Sequence, residues 1–167
     1  MIFTTKAEYG VRLLVELGRQ RDRRPRSLKA IAEAEGLPLA YLERIVALLK
    51  KAGLVESTRG AHGGYRLTRD PADVHMDEVV VALEGPVAPM TCFVDDTEGE
   101  ATTPTPRARV LCSHHDDAGH GCATKLLWLR VQGGVMDKLA QTSLAELVAF
   151  AERGTADPTP PKEPSLA

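Results

Sequence analysis

Apolar residues recur at helical spacing from the start of the chain. Ala7, Val11, Leu14 and Leu17 or Gly18 share one stripe, Thr4 or Thr5 stands where a helix cap belongs, and the pattern runs to about Gln20. The basic run Arg19-Gln20-Arg21-Asp22-Arg23-Arg24-Pro25-Arg26 ends it. Such a run reads as a solvated loop which, beside a polyanion, would also lie within reach of phosphates. Ser27 is a cap for a short second helix, Leu28 to Ala34, and Gly36 makes a turn. Leu37-Pro38 opens a third helix with Leu42, Ile45, Val46 and Leu49 on its buried stripe. Ala40, Tyr41, Glu43, Arg44 and Ala47 fall on its outward face, and Gly53 stops it.

Helix, tight glycine turn and helix at this spacing predict a helix-turn-helix, whose second member enters the major groove of DNA. The next stretch strengthens that reading. Leu54 to Thr58 and Tyr65 to Thr68 read as two strands around Arg59-Gly60-Ala61-His62-Gly63-Gly64. An ordinary hairpin also needs glycine, but directly after a helix-turn-helix this is a β-wing. Its glycines let backbone approach a phosphate, and Arg59 at its base suits a narrow minor groove.

A short helix from about Asp77 to Glu84 ends at Gly85, after which Pro86 to Arg109 loses periodicity. Asp95 to Pro106, acidic and rich in Thr and Pro, is expected to be a mobile insertion. Periodicity returns at Cys122, where Leu126, Leu129, Val131, Val135, Met136 and Leu139 outline a helix of about 18 residues, the length of a dimer arm. Gly133-Gly134 is a place where it could kink. Ser143-Leu144-Ala145-Glu146 is a capping box for a final helix with Leu144, Leu147, Val148 and Phe150 as its apolar side, and the Pro-rich tail from Gly154 is expected to be disordered. The predicted fold is therefore mainly α with a small β-wing: a winged helix-turn-helix head and a long C-terminal dimerisation helix. Its predicted parts are a DNA-binding head (1–85), a loop with a flexible insertion (86–121), the dimerisation and final helices (122–153) and a tail (154–167).

Composition changes this picture in two places. Hydrophobic residues make up 43% of the chain and aromatic ones only 4%, so the core is aliphatic, which suits helix packing. The formal net charge of -2 hides an asymmetry: Met1 to Asp70 holds 14 Lys and Arg against 8 Asp and Glu, whereas the remainder holds 7 against 15. A basic head and an acidic remainder suit a protein that turns one face to nucleic acid. No apolar run approaches the roughly 20 residues that span a bilayer, and the N-terminus lacks a signal-peptide pattern, so the expected location is cytoplasmic with no membrane partner.

Three cysteines, Cys92, Cys112 and Cys122, lie between the head and the long helix, with His114, His115 and His120 among them. An odd number of thiols cannot form a closed set of internal disulfides. Deprotonated, three such ligands beside a helix start can hold a metal centre. Spacings of 19 and 9 intervening residues match no zinc-knuckle pattern. Iron–sulfur, zinc, redox-active and merely buried thiols all remain open on spacing.

The order of features resembles a known family. Thr4-Thr5-Lys6-Ala7-Glu8-Tyr9, Leu39-Ala40-Tyr41-Leu42-Glu43, the wing Arg59-Gly60-Ala61-His62-Gly63-Gly64-Tyr65 and Cys122-Ala123-Thr124-Lys125-Leu126-Leu127-Trp128 are similar to the IscR/NsrR/RirA-type bacterial regulators, from about Met1 to Phe150. The resemblance implies a homodimeric transcription factor with an iron–sulfur cluster, two-iron or four-iron, on Cys92, Cys112 and Cys122. A histidine three residues after the last cysteine completes the set in some members. Here that place is Lys125, which cannot serve while protonated. Other members use an acidic residue near the start of the partner subunit, and Glu8 stands at the matching place; the histidine that a related arrangement adds one turn later is Arg12 here. The insertion between the first two cysteines is longer than in the best-known members, which brings His114, His115 and His120 into range as substitutes.

The expected activity is binding of a double-stranded DNA operator, as a repressor, under control of redox state, nitric oxide or iron–sulfur status. Lys29, Tyr41 and Arg44 are assigned to phosphates or base edges of the major groove, Glu43 to cytosine amino groups or rejection of wrong bases, and Arg59 to the minor groove, with His62 beside it in the wing tip. Two rivals are a regulator of the same fold whose thiols hold zinc or sense oxidation, and a redox enzyme using the cysteines. The enzyme needs a substrate pocket and a resolving-thiol motif, and neither is legible.

Overall fold

The computed structural model describes residues 3–20, 22–60, 63–87 and 123–153. Among the described residues six α-helices and one hairpin follow in order: α1 (Thr5–Gly18), α2 (Leu28–Glu35), α3 (Leu39–Lys51), β1 (Val55–Thr58), β2 (Gly64–Leu67), α4 (Met76–Glu84), α5 (Ala123–Gln141) and α6 (Leu144–Arg153). The predicted caps act as expected. The Thr4 hydroxyl accepts from the Lys6 amide at 3.2 Å, Ser27 Oγ from the Ala30 amide at 3.1 Å and Ser143 Oγ from the Glu146 amide at 3.3 Å. Gly36 closes α2 in the left-handed conformation, φ 63°.

The main core lies where α1, α2, α3 and α4 meet, with Leu13, Leu14, Ile31, Leu42, Ile45, Leu49, Val55 and Val79 almost wholly buried. Leu144 of α6 is in the same core, so the last helix closes the head rather than extending from it. The chain between α5 and α6 is pinned beside the start of α4: the Met76 amide donates to the Thr142 carbonyl at 3.0 Å, and the Leu144 amide to that of Val74 at 2.8 Å. The stripe of α1 is Ala7, Gly10, Leu13, Leu14 and Leu17, with Val11 on its shoulder. Gly10 lets α4 come close, because a Cβ there would run into Leu83.

α5 keeps its expected span but turns a polar residue inward. It runs through Gly133-Gly134 without a break, and its buried positions are Gln132 and Met136. Leu126 and Leu127 are 56% and 55% exposed, and Leu129 is also exposed. A second small core joins Val80, Val81 and Val87 to Met136, with Phe3, Val135 and Leu139 against it. No described helix is long and apolar enough to cross a membrane.

Two carboxylates hold this arrangement. Glu16 sits on the buried side of α1, only 3% exposed, and each of its oxygens accepts from an arginine, Oε1 from Arg19 and Oε2 from Arg26. Arg19 also donates to the Ala151 carbonyl of α6 at 3.3 Å. Arg26 exchanges two backbone hydrogen bonds of 2.9 Å with Tyr65 of β2, which makes it a third edge of the wing. Gly64 permits that approach, since a Cβ at its φ of 157° would enter the Arg26 backbone.

Glu84, the last residue of α4, closes the start of α1. Its Oε1 accepts from the Thr4 amide at 3.2 Å, the Thr4 hydroxyl at 2.6 Å and the Ala7 amide at 3.1 Å, with Lys6 Nζ 3.5 Å from Oε2. Burial pushes the Glu84 carboxyl up, but these hydrogen bonds and the Lys6 charge outweigh it and hold the pKa below its ordinary value.

Removing Glu16 leaves two arginines that still reach solvent, so Glu16→Ala should cost about 1–3 kcal/mol of unfolding free energy, less than the roughly 3–5 of a fully buried pair. Urea denaturation checks this. Because the pKa of Glu84 is lowered in the folded state, its charge contributes stability above the unfolded value of about 4.3, and that contribution is lost as pH falls through the folded value. Wild type should therefore melt above Glu84→Gln at neutral pH, with the gap closing in acid below about pH 4. A gap that stays constant with pH would refute the charge-based clasp.

Candidate nucleic-acid interface

In the described head, nine cations lie within 4.0 Å of a carboxylate: Lys6, Arg12, Arg19, Arg23, Arg24, Arg26, Lys29, Arg66 and Arg69. The described arginines of the basic run are therefore partly offset: Arg19 and Arg26 share the single charge of Glu16, Arg23 lies beside Asp70 and Arg24 beside Asp22. The cations of the described head without a carboxylate that close are Arg44, Lys50, Lys51 and Arg59. All are exposed, three on α3 and one directly after β1. Unneutralised positive charge thus collects on the second helix of a helix-turn-helix and on the wing, the two elements such a head presents to a duplex.

The outward face of α3 shows Ala40, Glu43, Arg44 and Ala47 to solvent. Tyr41, expected on that face, is half-buried: its ring meets Tyr9 of α1 edge to face, 5.6 Å between centroids at 85°. With Thr5, Pro38, Ala40 and Arg44 the two tyrosines line an open groove of about 370 Å³ at the start of α3. Lys50 Nζ donates to Ser57 Oγ at 2.7 Å, tying α3 to β1, and the cross-strand pair Glu56–Arg66 closes at 2.6 Å. At the wing's turn the Gly63 amide donates to the Gly60 carbonyl at 2.9 Å, and Gly60 has φ 111°. Arg59 is exposed at the base of this turn, and Lys29 is exposed on α2, 3.9 Å from Glu33. His62 lies outside the described residues.

Glu8 sits in the first turn of α1, 61% exposed, 3.9 Å from Arg12. Arg12 donates through Nε to Glu35 Oε2 at 2.8 Å and through Nη2 to the Glu35 carbonyl at 2.6 Å. It thereby ties α1 to the end of α2, next to the turn at Gly36. Sequence reasoning missed this tie; the one signal for it was a glutamate in the last turn of α2. Cys92, Cys112, Cys122, His114, His115 and His120 lie outside the described residues, and among the described ones no three His, Cys, Asp or Glu gather at a metal-holding spacing.

A family described as the iron-dependent transcriptional regulator Rrf2 matches residues 3–150. The chain belongs to the Rrf2 family. As an Rrf2-family member it is a DNA-binding transcriptional regulator and not an enzyme. CymR of Bacillus subtilis (strain 168) is 31% identical over 152 residues, covering 91% of this chain and 93% of that protein. Its solved structure, described as that of the global cysteine regulator, superposes with a TM-score of 0.66 over 90% of this chain and 98% of its own. Protein rrf2 of Nitratidesulfovibrio vulgaris is 34% identical over 90% of this chain and 89% of that protein. The structure of T. potens IscR is similar at a TM-score of 0.66 and 30% identity, covering 93% of each chain.

In this Rrf2-family head the wing arginine stands alone enough to be tested alone. Arg59→Ala should weaken operator binding and flatten the dependence of log affinity on log salt by about one unit of slope. An unchanged slope would remove Arg59 from the DNA contacts.

Proposed function

We propose that the chain is a homodimeric repressor that reads its operator with α3 and the wing and answers to an iron–sulfur cluster held by Cys92, Cys112 and Cys122, with Glu8 of the partner subunit as fourth ligand. The observation that carries this reading is the position of the thiols: all three fall between α4 and α5, inside the stretch matched by an iron-dependent family. The donor set fits such a group. Deprotonated, three thiols supply soft anionic ligands, and the Glu8 carboxylate is 61% exposed and, among the described residues, lies beside Arg12 at 3.9 Å, so it is open to a ligand from outside its own subunit. Lys125 is cationic and is no candidate. When bound, the cluster would supply one-electron and nitric-oxide chemistry at iron, in addition to what the thiols have on their own.

Dimerisation is supported by the exposed Leu126, Leu127 and Leu129, a lipophilic run on a 19-residue helix that the described residues do not cover. In the DNA complex Arg44 and Glu43 face base edges, Lys29 and the Tyr41 hydroxyl reach phosphates or base edges, and Arg59 follows the minor groove with His62 beside it. Likeness to CymR, described as a global cysteine regulator and solved from Staphylococcus aureus in an oxidized form, favours a second reading in which the same thiols respond to oxidation without iron.

Anaerobic reconstitution with iron and sulfide, followed by operator titration of loaded and stripped protein, tests the proposal. The loaded protein should be brown, contain iron and sulfide, and differ in operator affinity by about tenfold or more, which corresponds to ~1.4 kcal/mol. Equal affinities would sink the switch. A colourless protein whose affinity follows thiol oxidation would establish the second reading instead.

A further inference from the structure

Gln132 is one of only two buried polar residues among those described, 4% exposed in the middle of α5. It lies one turn before Met136, which joins Val80, Val81 and Val87 in the small core, and a buried amide there is costly unless it is paired. Its Nε2 donates to the Val87 carbonyl at 2.6 Å, 45 residues earlier in the chain. A methionine or leucine would fill the same space without that desolvation, so what the amide adds is direction: it accepts one register of Val87 against α5 and no other.

Val87 is the last described residue before the cysteine-bearing stretch, and α5 begins immediately after Cys122. Three residues before Val87, Glu84 clasps the first turn of α1 through Thr4 and Ala7. Gly85, at φ 83°, turns the chain between the two anchors. Residues 84–87 are thus held to α1 at one end and to α5 at the other. The held turn of α1 carries Glu8, and Thr5 and Tyr9 beside it line the groove with Tyr41 and Arg44.

We propose that Gln132 is a positioning residue for sensing: by holding the Val87 carbonyl on α5 it fixes where the cysteine stretch leaves the head, and so couples that stretch to α5 and to the start of α1. The signal it passes on rests on the iron–sulfur reading. The latch itself has a separate readout.

The test uses the full chain, anaerobically, as wild type, Gln132→Met and Gln132→Leu. Both variants remove the donor and suit the apolar surroundings, so both should fold with melting temperatures near wild type. Hydrogen exchange of the amides of Glu84, Gly85 and Val87 in iron-stripped protein should quicken about tenfold in either variant. The ratio of operator affinities between loaded and stripped protein should collapse toward one while bound iron per chain stays unchanged. Wild-type exchange rates in both variants, or an intact affinity ratio, would overturn the proposal. Should wild type itself take up no iron, the iron reading falls alone, and unchanged exchange at these three amides still overturns the latch. Should neither variant fold, exchange of the Gln132 side-chain NH2 in wild type decides: slow exchange supports the bond, and solvent-rate exchange rejects it.

Discussion

The head depends on one carboxylate in the wrong place for a helix of its kind. Glu16 lies on the buried side of α1 among leucines, where an unpaired charge would be costly, and it is tolerated because Arg19 and Arg26 each take one of its oxygens. Each arginine then commits a second part of the chain. Arg19 reaches the Ala151 carbonyl and brings α6 against α1. Arg26 exchanges backbone hydrogen bonds with Tyr65, so the loop after α1 becomes an edge of the wing. Helix, wing and closing helix share one buried anion, while Lys50 and Ser57 tie the wing to α3.

The same pairing decides where the protein is positive. The arginine-rich loop looks like the most basic part of the chain, yet four of its described arginines lie beside carboxylates. A paired guanidinium offers a phosphate little net field, whereas Arg44, Lys50, Lys51 and Arg59 offer theirs in full. A formal charge of -2 for the whole chain is therefore no obstacle to binding a polyanion. What matters is which charges remain after folding, and those lie on α3 and beside the wing.

Much of the fold was legible because local chemistry marks its boundaries. Ser27, Gly36, Gly53 and the glycines between β1 and β2 specify caps and turns within a few residues of themselves, and the expected helix ends fall within two residues of those found. What escaped was every long-range pairing of polar side chains: Glu16 with Arg26, Arg12 with Glu35, Glu84 with the start of α1. None leaves a periodic trace, because a buried glutamate or glutamine reads as a polar position on any pattern of apolar spacing. The α5 stripe was legible in part. Its leucines repeat at helical spacing and Met136 is buried, but nothing in the spacing marked Gln132 as the other inward position. Of the candidate site, the reading helix and wing could be placed, while the cysteines fall in a stretch whose pattern carries no periodicity to place them by.

These tethers are of a suitable strength for regulation. A tenfold change in operator affinity is about 1.4 kcal/mol, and a single intramolecular hydrogen bond contributes about 0.5–1.5 kcal/mol net. A response of that size needs no large rearrangement of the aliphatic core, whose disruption would cost several times more. It needs one or two directional bonds made in one state and lost in the other, at points where the sensing stretch joins the fixed helices. Glu84 on α1 and Gln132 on Val87 stand at such points, one at each end of the four residues that lead into the cysteines. In the proposed switch the hydrophobic core would keep the head folded in both states, and the choice between them would fall to polar contacts weak enough to be outweighed by a ligand.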